Sequence, residues 1–171
     1  MGAGKTTAIR AISTVTPVST EAVNNDQEAF AKRSTTVALD YGEVTLEDGT
    51  CVRLYGTPGQ TRFSFMWEIL GTGALGVILL IDASSRTALN DLKGFVQSFR
   101  ESAPNQPLIV GVGRLRSEQG SKLEDYARLL EDIRPVVPVF SVDVRQREDV
   151  LLLIETLLGI LEARVELQDA V

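Results

Sequence analysis

The sequence predicts an α/β fold, a doubly wound and mostly parallel sheet with one antiparallel edge strand. Three observations predict it. Short β-branched runs (Gly76 to Ile81, Pro107 to Val112, Val136 to Val142) alternate with amphipathic segments of helical length, the pattern of crossover units. Two alternating apolar–polar stretches flank Glu47-Asp48-Gly49, and an Asp-Gly pair in that setting signals a hairpin. At the start, Gly4-Lys5-Thr6 runs directly into a helical pattern.

The elements follow in order. Lys5 to Ser13 reads as a helix opening from the glycine loop. Thr16 to Ser34 is polar, broken by Pro17 and Asn24-Asn25-Asp26, and reads as a long loop with at most one helical turn. Strands are expected at Thr36 to Leu46 and Cys51 to Tyr55, then a glycine-proline turn at Gly56 to Gln60 and a helix near Arg62 to Leu70. The run Gly76 to Ile81 is apolar throughout, as a strand covered on both faces should be. Helices are expected over Ala88 to Ser102, Leu123 to Ile133 and Arg147 to Val165. No boundary divides the chain, so residues 1–171 are read as a single domain.

Composition excludes several classes of function. The formal charge is −6, and no stretch gathers Lys and Arg on one face, which argues against nucleic acid as a partner. Histidine is absent, removing imidazole bases and most zinc chemistry. One cysteine, Cys51, forms no internal disulfide, which fits a reducing cytoplasm. No segment is long and apolar enough to insert stably in a membrane. Met1 to Thr6 also satisfies an acylation pattern, but its glycines are needed by the loop chemistry that follows.

Gly4-Lys5-Thr6 is the G-K-[ST] end of the phosphate-binding motif G-x-x-x-x-G-K-[ST]. Backbone N–H groups from Gly2, Ala3, Gly4 and Thr7 would cradle phosphate, Lys5 would neutralise it, and the Thr6 hydroxyl would ligate Mg²⁺. The motif's leading glycine and its strand would lie before Met1, so the first strand of the fold is expected to be missing from this chain. Two further runs carry polar chemistry: Thr35-Thr36-Val37-Ala38-Leu39-Asp40-Tyr41, and Gly56-Thr57-Pro58-Gly59-Gln60-Thr61-Arg62-Phe63.

In that order and spacing these runs resemble the bacterial small Ras-like GTPases, similar to the MglA-like gliding-motility branch and the conservon-type GTP-binding proteins. The resemblance extends from Gly2 to about Val165 and implies a three-layer P-loop NTPase fold. It implies GTP/GDP and Mg²⁺ as cofactors. Thr36, with Thr35 as the alternative, would be the first-switch threonine, a second metal ligand that senses the γ-phosphate. Gly59 would meet the γ-phosphate through its N–H, and Gln60 would orient the attacking water, making Gln60 and Lys5 the catalytic pair. Partners implied are a roadblock-type activating or regulatory protein and a sensor-kinase-like protein. The aromatics Phe63, Phe65 and Trp67 divide evenly between core and partner surface.

Two departures stand out. Gly56 occupies the place where the family carries an Asp that supports Mg²⁺. Gly113-Arg114-Leu115-Arg116 stands where [NT]-K-x-D reads guanine, so Arg116 replaces the base-reading Asp. Arg114 is retained as a nucleotide contact, and Ser141 and Val142 as a loop that would meet the base through backbone N–H groups. Arg33 and Arg62 are the internal candidates for an arginine finger. The resulting expectation is a slowly hydrolysing GTP switch. The alternatives are a non-catalytic or truncated interaction module and, behind it, a P-loop ATPase or kinase.

Overall fold

In a computed structural model the described residues are 2–19, 40–57, 73–115 and 122–169. Their order is α1 (Lys5–Ile12), β1 (Val18–Ser19), β2 (Asp40–Thr45), β3 (Cys51–Gly56), β4 (Val77–Asp82), α2 (Ala88–Ser102), β5 (Leu108–Gly113), α3 (Leu123–Leu130), β6 (Val139–Ser141) and α4 (Arg147–Asp169). This is the mixed α/β architecture of a P-loop NTPase.

The strands make two ladders. β1, β2 and β3 pair antiparallel, with Val18 opposite Tyr41 and Asp40 opposite Gly56. β4, β5 and β6 pair parallel, with Asp82 opposite Gly113 and Val112 opposite Ser141. Among the described residues no ladder joins β3 to β4, and the antiparallel part is the sheet β1–β2–β3. Side chains join the two sheets instead. Val52 and Leu54 of β3 and Ile78 and Leu80 of β4 pack on one cluster built around Ile12, Val44, Val150 and Ile154.

β5 is the centre of the parallel sheet, and Leu108 to Val112 are all buried. Alternation sends Leu108, Val110 and Val112 towards α2 and α3, while Ile109 meets Leu153 of α4. On α2, Ala88, Leu92 and Val96 recur every four residues and form its buried stripe. α1 buries Ala8, Ile9 and Ile12 in the same way.

Boundaries follow the sequence closely except in four places, one of them the end of α3, which stops at Leu130 rather than Ile133. β1 lies inside what reads as loop, because a two-residue strand carries no visible periodicity and is defined by its partner, β2. β6 keeps only three of the expected residues: Pro138 has no N–H to donate, though its carbonyl accepts from Val110 N at 2.9 Å. α4 continues to Asp169, four residues past the expected end, and leaves Val165 and Leu167 exposed. The expected helix near Arg62 to Leu70 lies outside the described residues. No described helix is long and apolar enough to cross a membrane.

Candidate phosphate and base site

Gly2 and Gly4 both have positive φ, 85° and 89°. At Gly4 the requirement is double, since a Cβ there would stand 2.6 Å from Val144 Cγ2. The glycine loop therefore packs directly against the loop that follows β6. The Ala8 N–H donates to Gly4 O at 2.8 Å, and α1 begins with no side-chain cap and no acidic residue in its first turn. A helix start of this kind offers N–H groups and the positive end of its dipole to an anion. Ala3, Lys5 and Thr6 are half-buried there, and Thr7 is exposed. Lys5 takes no part in the four ion pairs among the described residues, which use Arg53, Arg114, Arg128 and Arg145. Arg147 anchors the far end of α1, donating to Ile12 O at 3.0 Å.

The Thr6 hydroxyl donates to Asp40 Oδ2 at 2.5 Å across 34 residues of sequence. Asp40 opens β2 and pairs with Gly56 at the end of β3. A Cβ on Gly56 would lie 3.0 Å from Asp40 Cβ and 3.3 Å from its Oδ2. Thr6, Asp40 and Gly56 thus meet beside the glycine loop. The residues fit a magnesium ion in kind, because hydroxyl and carboxylate oxygens are the hard ligands it takes. Asp40 is an acid to which sequence reasoning gave no role. It stood inside a quoted motif, but only the β2–β3 register brings it to Thr6.

The ends of β4 and β6 carry a second polar cluster. Asp82 Oδ1 accepts from Ser84 N at 3.0 Å and Ser84 Oγ at 2.6 Å, while its Oδ2 accepts from Arg114. Partial burial works to raise the Asp82 carboxyl, but the Ser84 hydrogen bonds and the Arg114 charge outweigh it and hold the group below the usual carboxylate range. Arg114 itself turns through the left-handed region, with φ 56°. Beyond β6, Arg145 forks onto Asp143, with Nε 2.8 Å from Oδ1 and Nη2 2.6 Å from Oδ2. The Arg145 side chain, then its backbone N–H, lower the Asp143 carboxyl to about 2.

One expected base contact, and the amide that follows it, are already engaged within the protein. The Val142 N–H donates to Val112 O at 3.0 Å and its side chain is core, so this amide is already engaged within the sheet. The next amide, Asp143 N–H, donates to Asp149 Oδ2 at 2.7 Å. Ser141 stays exposed at the end of β6. Thr35, Thr36, Gly59, Gln60, Arg33, Arg62, Phe63, Phe65, Trp67 and Arg116 lie outside the described residues.

A family model described as "conserved hypothetical ATP binding protein" matches residues 16–103, just over half of the chain. The chain belongs to this family. It is also similar to an uncharacterized protein of Methanocaldococcus jannaschii, 39% identical over 56 residues, covering 33% of this chain and 36% of that protein. The human Ras-related protein Rab-40A-like is 32% identical over 83 residues, covering 48% of this chain and 28% of its own length. The Ras-related protein RABE1e of Arabidopsis thaliana is 24% identical over 135 residues, 66% of this chain and 62% of that protein. The match thus spans about a third of the length of the first two relatives. The family's description is of ATP binding, and two of these relatives are named as Ras-related proteins.

Proposed function

We propose that residues 1–171 form a single G domain that binds GTP, hydrolyses it slowly and signals its nucleotide state to a partner, a roadblock-type regulator or a sensor-kinase-like protein in the bacterial cytoplasm. One observation carries the reading: the Gly2 to Thr6 loop opens an uncapped helix whose Thr6 hydroxyl meets a carboxylate at 2.5 Å. In this reading Gly2, Ala3, Gly4 and Thr7 bind phosphate and Lys5 neutralises it. Thr6 and Thr36 hold Mg²⁺, which would supply charge neutralisation between the phosphates. Gly59 tethers the second switch, and Gln60 positions the water. Loss of the γ-phosphate releases both switch segments.

A second reading, of an ATP-tolerant site, is favoured by the family's description and by the two Asp–Arg pairs. Both oxygens of Asp82 and of Asp143 already accept from Ser84, Arg114 or Arg145, which competes with any guanine contact. The phosphate end is tested with Lys5→Ala. GTP binding by calorimetry should weaken by 100-fold or more, with the helical signal in circular dichroism unchanged. Equal affinity in the variant would remove Lys5 from the phosphate site and with it the proposed function.

A further inference from the structure

We propose that Asp40 is the carboxylate that supports magnesium at this site, taking over from across the β2–β3 ladder the place that Gly56 leaves without an acid. The inference rests on the phosphate-site reading above. A side chain at position 56 would start 3.3 Å from Asp40 Oδ2, so the Asp40 carboxylate already fills the space an acid at 56 would enter. The strand register makes the exchange geometrically direct, because Asp40 and Gly56 are opposite each other in the ladder.

The Thr6 hydrogen bond fits the same role. A hydroxyl that ligates a cation must turn its proton away from the metal towards an acceptor, leaving a lone pair for the ion. Asp40 is that acceptor: the Thr6 proton points to its Oδ2. Its other oxygen makes no hydrogen bond with a described residue, and Asp40 is only half-buried. Asp40 therefore orients the ligand hydroxyl and adds the negative charge that a divalent ion needs beside it. Gly56 is kept small by the same arrangement, since its missing Cβ would crowd Asp40 Cβ at 3.0 Å and Ile9 Cδ1 at 3.1 Å.

The test measures metal and nucleotide separately on the full chain. Mn²⁺ binding to the GTP-loaded protein is followed by electron paramagnetic resonance, and GTP binding is followed by calorimetry in EDTA. Asp40→Asn keeps the size and the acceptor for Thr6, and should weaken Mn²⁺ by about tenfold or more. GTP affinity in EDTA should stay within about threefold, because the phosphate loop is untouched. The exchange variant, Asp40→Gly with Gly56→Asp, should recover most of the Mn²⁺ affinity. Unchanged Mn²⁺ affinity in Asp40→Asn overturns the proposal. So does an equal loss of GTP with and without metal, which would mark a merely structural acid, and so does an exchange variant that folds without recovering the metal. Wild-type protein that binds no GTP in EDTA would instead overturn the phosphate-site reading itself.

Discussion

At the start of α1, Asp40 accepts from one hydroxyl and keeps its second oxygen unshared with any described residue. At the ends of β4 and β6, Asp82 and Asp143 have both oxygens engaged by Ser84, Arg114 and Arg145. The two clusters are close, since Gly4 packs on Val144 just beyond Asp143. Their chemistry differs nonetheless. The phosphate end retains a helix start, a lysine in no described ion pair and an acid with spare capacity. The ends of β4 and β6 have paired their acids with arginines of the same chain. A carboxylate reads guanine only when both its oxygens are available to the ring N–H and the amino group, and Asp82 and Asp143 no longer offer that, whereas Asp40 keeps one oxygen clear of described partners.

The largest effect should come from breaking the contact between the ends. Gly4→Ala forces a Cβ onto a φ of 89° and 2.6 Å from Val144. Left-handed strain and overpacking together should cost about 2–4 kcal/mol, read from the denaturant midpoint. A loss below about 0.5 kcal/mol would mean that the loop relaxes freely away from β6.

Base selectivity comes next. Competition binding should show GTP favoured over ATP by only about 10–100-fold, where a site with an intact acid discriminates far more strongly. Arg116→Asp, which restores the acid expected from the family resemblance, should raise that ratio about tenfold or more. A wild type that already rejects ATP completely would place guanine recognition elsewhere.

Hydrolysis tests the phosphate end alone. Gln60→Leu should slow single-turnover GTP hydrolysis about tenfold or more, on the order of 1.4 kcal/mol in the barrier, with binding little changed. An unaltered rate would assign the water to another group.

The smallest effect concerns the Arg145–Asp143 fork. Its Asp143 carboxyl sits at about 2, below the ordinary aspartate value of 3.8. The group is depressed in the folded state, so its contribution is complete above about pH 4 and disappears as pH falls through about 2. Arg145→Ala should move the carboxyl titration, followed by NMR, back towards 3.8. Because the fork is exposed, the melting temperature should barely change. A titration that stays near 2 would mean that other groups hold this acid.

Much of the fold was legible in the sequence because its signals are local. The spacing of Ala88, Leu92 and Val96 gives α2 to the residue, and Asp48-Gly49 gives the hairpin, with Gly49 at φ 85°. The start of α1 at Gly4, Lys5 and Thr6 was legible for the same reason, since the three residues are consecutive and run straight into the helix. β1 was not, because two residues have no period. Nor was the state of the base end, which depends on Arg114 reaching Asp82 across 32 residues.

The sequence by itself determined the class of the fold, the order of its longer helices and strands, and the glycine turn at the head of α1. Each follows from apolar periodicity or from neighbouring residues, and neither requires knowing which strands meet. Tertiary structure decided which carboxylates are available. The β2–β3 register sets Asp40 beside Thr6 and against the bare Cα of Gly56, and the β4–β5 register sets Asp82 beside the residue before Arg114. Whether an acid serves a ligand or an internal arginine depends on which partner lies within hydrogen-bond reach, and that distance is fixed only when the strands pair.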